Sequence, residues 1–170
     1  MEQFKDLSRA QLESLVVDFA KRWLAHDGLW FQAVEHGRGM DEAIRYDRDA
    51  WEKFTVIEAK RIMEFLGLKA GGGLEALEQA LKFRLYAFIN VQETIWVDTN
   101  TLIFRMNNCR VQSARNRKGM PDFPCKPVGL VEYSLFAATI DPRIKSKCLS
   151  CPPDPHPDDF YCSWEFTLNS

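Results

Sequence analysis

The 170-residue sequence predicts one α+β domain, an N-terminal helical layer packed on a mostly antiparallel sheet. Three observations predict it. Apolar residues recur at helical spacing through residue 89 and at a two-residue period from residue 90. No internal repeat or long linker divides the chain. Hydrophobic residues make up 46%, enough for one continuous core at this length. The reading is therefore a single domain over 1–170, helical over 1–89, with the sheet and a metal-binding part over 90–170.

Ser8-Arg9-Ala10-Gln11 has the S-x-x-Q pattern of a capping box and should open a helix. Leu12, Leu15, Val16, Phe19 and Trp23 continue it to about Leu24, and His26-Asp27-Gly28 should break it. A short helix from Leu29 to Glu35 follows. Asp41 can cap a long helix through about Leu66, ended by Gly67. The Gly71-Gly72-Gly73 run is a joint, and a further helix is expected over about 74–89. Two alternating runs, Val91 to Val97 and Leu102 to Met106, flank the turn residues Asp98-Thr99-Asn100 and read as a hairpin. Val128 to Thr139 reads as a helix ended by Asp141-Pro142. Two short strands, about 143–147 and 161–168, should enclose the irregular loop PPDPHPDD.

Charge and composition exclude several functions. A net charge of −2 and a pI of about 5.9 leave no broad basic field for nucleic acid or an anionic membrane. No apolar run is long enough for a membrane span, and the charged segment MEQFKDLSRAQLES lacks a signal-peptide core. A cytoplasmic location, where thiols stay reduced, is the expectation.

The five cysteines carry the clearest chemistry. Cys125, Cys148, Cys151 and Cys162 follow C-x22-C-x2-C-x10-C, a spacing that can gather four thiolates around one tetrahedral zinc ion. The expected Zn2+ is structural, because four protein thiolates leave no open coordination position. It would clasp the last helix to the last hairpin. Lys126, Arg143, Lys145 and Lys147 lie close in sequence and should hold the thiol pKa values down. The alternative is a set of free thiols packed as small hydrophobes.

The run C-K-P-V-G-L-V-E-Y-S-L-F-A, then Cys148 before Cys151, then C-S-W-E-F, resembles the C-terminal half of 4-vinyl reductase-type domains. It is also similar to the effector-sensing domains of bacterial phenol-responsive activators. The resemblance implies one zinc on this cysteine set and an adjacent pocket for small, mostly apolar or aromatic molecules. Cys148 departs from the phenol sensors, which use an acidic ligand there. The whole chain looks more like uncharacterised prokaryotic cytosolic proteins distantly similar to thiazoline-carboxylate hydrolase-like proteins.

Other residues leave alternatives open. Cys109 could be a reactive thiol or a packed one. Glu58 and Arg61, three apart among aromatics, should pair with each other. His26, Asp27, Glu35 and His36 could do acid–base work or lie on a solvated face. Arg105, Arg110, Arg115, Arg117 and Lys118 form a basic cluster that could clamp a carboxylate or phosphate, or be a solvated loop.

The leading expectation is a zinc-containing small-molecule-binding, sensor-like domain. Trp51, Phe54, Trp96, Phe104 and Met106 are the expected apolar lining, with Glu58 and Arg105 as polar contacts. The alternatives are a hydrolase acting on a small ring or amide-like metabolite, and a structural module that forms a homodimer or binds another protein.

Overall fold

The computed structural model describes residues 2–168. A 3-10 turn at Glu2–Phe4 precedes two long helices, α1 (Arg9–Arg38) and α2 (Met40–Leu66). Helix α3 (Gly73–Leu81) and a 3-10 turn at Leu85–Phe88 lead to the hairpin β1 (Val91–Asp98) and β2 (Thr101–Asn108). Then come α4 (Arg110–Asn116), α5 (Lys126–Ile140), β3 (Ile144–Ser150) and β4 (Cys162–Leu168). The architecture is α+β, and the four strands form one antiparallel sheet in the order β1-β2-β4-β3.

Local signals in the sequence explain several boundaries. Ser8 and Gln11 form the reciprocal capping box, each side chain accepting from the other's backbone N–H. Gly67 ends α2 at φ 68°, a left-handed conformation that a side chain would strain. The Asn100 N–H donates to the Asp98 carboxylate at 2.7 Å and tightens the hairpin turn.

Several boundaries differ from the sequence expectations. Gly39, and not Asp41, is the N-cap of α2, and Asp41 lies in its first turn. Helix α5 starts at Lys126, two residues before the expected Val128. Helix α1 runs unbroken through His26-Asp27-Gly28 to Arg38, absorbing the expected second helix. One interior glycine costs about 1 kcal/mol, which packing along α2 can offset. The helix expected over 74–89 stops at Leu81, because the backbone N–H of Leu85 donates to the Glu58 carboxylate. Residues 110–116 form α4, a helix to which the sequence reading assigned no element.

The main core lies between the inner face of the sheet and helices α2, α3 and α5. Leu102, Phe104, Trp164, Phe166, Phe136 and Leu77 are fully buried there. A second, aromatic core under α1 is built from Trp51, Phe123 and Val128, with Trp23, Phe54 and Tyr86 packed on it. Trp51 and Tyr86 stack at 5.7 Å, and Trp23 meets both edge-on. This second core places α1 and α2 against α4 and the start of α5.

Candidate functional site

The C-terminal end of the sheet and the start of α5 bring the cysteines together. Cys125 is the residue before α5, Cys148 lies in β3, Cys151 just follows β3, and Cys162 opens β4. Cys125 Sγ and Cys151 Sγ stand 3.6 Å apart. Sulfur contacts from Cys125 and Cys162, together with burial, push the Cys151 thiol strongly up. Cys148 is less enclosed, and burial still pushes its thiol up against the pull of Lys126. Close approach is possible because residue 129 of α5 is glycine. A Cβ there would sit 2.7 Å from the Trp164 ring and 3.8 Å from Cys151 Sγ.

Cys109 belongs to the same neighbourhood, although the sequence pattern set it apart. Cys109, Cys125, Cys151 and Cys162 all line one small cavity of about 70 Å³. Trp51, Met106, Glu132 and Tyr133 also face it. Burial pushes the Cys109 thiol up to about 12, so it carries its proton at neutral pH.

In front of this cavity lies a cleft of about 430 Å³ between α1, α2 and α4. Asp47, Tyr86, Val111 and Phe123 are walls of both spaces. Lys21, Arg110, Arg117 and Lys118 ring the cleft, all on exposed positions. Arg115, also in the basic cluster, is committed elsewhere. Its guanidinium grips Glu35 through two bonds, at 3.0 and 3.2 Å, and its Nε donates to the Pro121 carbonyl. Asp27 and Asp47 face the cleft from α1 and α2. Burial pushes Asp47 up to about 7, with repulsion from Asp27 and Glu132 adding to it. Burial also raises Asp27.

The chain matches the family of unknown function DUF6125 over residues 5–168. It belongs to that family. No curated protein and no solved structure matches it. The likeness to 4-vinyl reductase-type domains therefore rests on the cysteine segments alone.

The residues expected to line one pocket of this DUF6125 chain are dispersed. Trp51 and Met106 face the small cavity together. Phe54 and Glu58 lie instead along an apolar groove of about 690 Å³, with Val16, Phe65 and Phe83. Phe104 is a core residue packed on Tyr133. Trp96 lies on the edge strand, its indole N–H donating to Glu78 at 3.3 Å. Arg105 stacks over Phe160 on the sheet.

Other pairings differ from expectation. Glu58 pairs with Arg84, not Arg61, because Arg84 reaches it inside the core at 2.9 Å. Glu35 is tied to Arg115 and is not solvated surface. The cations expected to lower the thiol pKa values do not achieve it. Lys126 is paired with Asp154 at 2.7 Å and Arg143 with Asp141. Cys148 is raised by burial, and Cys151 by its contacts with Cys125 and Cys162 and by burial. Among the described residues no group of three or more His, Cys, Asp or Glu side chains stands arranged to hold a metal ion. No helix among the described residues is long and apolar enough to cross a membrane.

The residues that sequence reasoning missed are Asp47 as a junction residue, Tyr86 and Phe123. The isolation of Asp47 among Trp51, Tyr46 and Ala50, without a basic residue at helical spacing on that face of α2, was the available signal.

Proposed function

We propose that this domain binds a small, largely apolar or aromatic molecule in the cleft between α1, α2 and α4, with the cysteine-lined cavity as its inner end. The observation that carries this reading is the shared wall of Asp47, Tyr86, Val111 and Phe123 between the two spaces. A volume of about 430 Å³ suits a metabolite-sized ligand. Mass spectrometry of molecules retained through native purification tests it. A bound organic compound lost in Phe123→Ala or Tyr86→Ala supports the reading, and a binding-silent cleft overturns it.

Structural zinc on Cys125, Cys148, Cys151 and Cys162 is part of the proposal. Its support is donor chemistry and one distance. Sulfurs at about 2.3 Å from a tetrahedral zinc stand about 3.8 Å from each other. The Cys125–Cys151 separation of 3.6 Å is close to that edge. Cys162 also contacts Cys151, Cys148 would complete the set, and all four would lose their protons on binding. A closed thiolate set would stabilise the α5–β4 junction without offering a position to substrate. Elemental analysis should find about one zinc per chain, and its absence would sink this part. A cytoplasmic setting, in which five thiols stay reduced, goes with it.

A hydrolase reading is favoured by one observation. Asp47, titrating near neutrality, faces the same cavity as Cys109. Cys109 keeps its proton, so the attacking group would be water activated by the Asp47 carboxylate. Turnover of small cyclic amides that disappears in Asp47→Asn supports it. A homodimer is favoured by the apolar groove that exposes Phe65 and Phe83. Sedimentation across a concentration series tests that reading.

A further inference from the structure

We propose that the cleft selects a small zwitterion, with a protonated amine seated between Asp27 and Asp47 and an anionic group held by the Arg110, Arg117 and Lys118 rim. This rests on reading the cleft as a ligand site.

Two sets of unmatched charge support it. Asp27 and Asp47 come from adjacent helices and both face this cleft and a neighbouring cleft of about 280 Å³ between α1 and α2. Among the described residues neither forms an ion pair with lysine or arginine. Glu132 adds negative potential behind Asp47, although Arg84 lies 2.7 Å from it. Two half-buried carboxylates without a lysine or arginine partner are costly, and burial raises both, with His26 beside Asp27 offsetting part of it. A ligand ammonium would supply the missing countercharge.

The opposite set is Arg110, Arg117 and Lys118 on α4 and the turn that follows it, with Lys21 of α1 on the same cleft. None of the four has an acidic partner among the described residues, whereas Arg115 of α4 has one. Free guanidinium groups match a carboxylate or phosphate in two-pronged geometry. The same cleft is walled by Phe31, Tyr86 and Phe123, with Phe31 and Phe123 meeting edge-to-face at 4.7 Å. The ligand body is therefore apolar or aromatic, and an ammonium beside Tyr86 would also gain from the ring face.

Titration calorimetry with tryptophan, tryptamine and indole-3-propionate separates the contributions, since the three share one ring and differ in charge. Tryptophan should bind at least about tenfold more tightly than either single-charge analogue, a difference of about 1.4 kcal/mol. Asp47→Asn should bring tryptophan to the affinity of indole-3-propionate and leave the latter unchanged. Asp27→Asn gives the same readout should the first variant fold poorly. Equal binding of tryptophan and indole-3-propionate overturns the amine seat and leaves the cleft a ligand site. Equal binding of tryptophan and tryptamine overturns the anion rim. Silence from all three probes overturns this inference and the cleft as a site for indole-sized molecules.

Discussion

Arg84 donates from Nε to the Glu58 carboxylate at 2.9 Å, with both side chains buried. Its other arm lies 2.7 Å from Glu132 of α5. The guanidinium also packs over the rings of Phe136 and Tyr133, at 4.8 and 5.3 Å. One arginine thus joins α2, the turn before β1 and α5, the three elements between the two cores. Arg84→Met would leave two buried carboxylates facing each other without a cation. Unfolding in denaturant should show a loss of about 3–5 kcal/mol. Adding Glu58→Gln and Glu132→Gln should recover part of it, and no recovery would mean the loss comes from packing alone.

Gly129 of α5 lets the Trp164 ring and Cys151 pack against the helix backbone. Gly129→Ala puts a methyl 2.7 Å from that ring, and the fully buried Trp164 has no open space to move into. Helix propensity would favour alanine by about 1 kcal/mol. Overpacking should outweigh that gain and leave a net loss of about 1–2 kcal/mol. A stabilised variant in thermal unfolding would contradict the packing described here.

Asp141 caps the joint between α5, α3 and β3. Its buried carboxylate accepts from the Gly73 N–H, the Arg143 N–H and the Arg143 guanidinium. These donors hold its pKa down to about 2, against an ordinary 3.8, with the Arg143 side chain contributing most. The stabilisation is present above pH 3.8 and is lost as pH falls towards 2. Asp141→Asn should cost about 1–3 kcal/mol at pH 7. The gap to the parent protein should narrow near pH 2, and a constant gap would contradict the carboxylate's role.

Asp47 runs the other way. Burial and the nearby Asp27 and Glu132 raise it to about 7. Below pH 3.8 the folded and unfolded chains both hold this proton, and the group has no effect. Between there and pH 7 only the folded chain keeps it, so stability falls as pH rises, and the full penalty applies above 7. Asp47→Asn should therefore stabilise the ligand-free protein at pH 8 by about 1–2 kcal/mol and change little at pH 4. Equal effects at both pH values would show that the carboxylate is well solvated.

Ser8 and Gln11, Gly67, and the Asp98–Asn100 turn were legible in the sequence because each acts on backbone within four residues of itself. The strand alternation follows from the same short-range periodicity, and with it the α+β class. His26-Asp27-Gly28 shows the limit of such signals: a locally weak helical stretch stays helical where packing on α2 outweighs it. The partners of charged side chains were decided by tertiary structure alone. Arg84 chose Glu58 across 26 residues and Arg115 chose Glu35 across 80, distances over which sequence spacing carries no geometric constraint. The same folding brought Cys109 beside the other cysteines and left Asp27 and Asp47 facing one cleft. Local chemistry set where many elements begin and end, and long-range burial decided which charges were neutralised inside the fold and which were left unpaired.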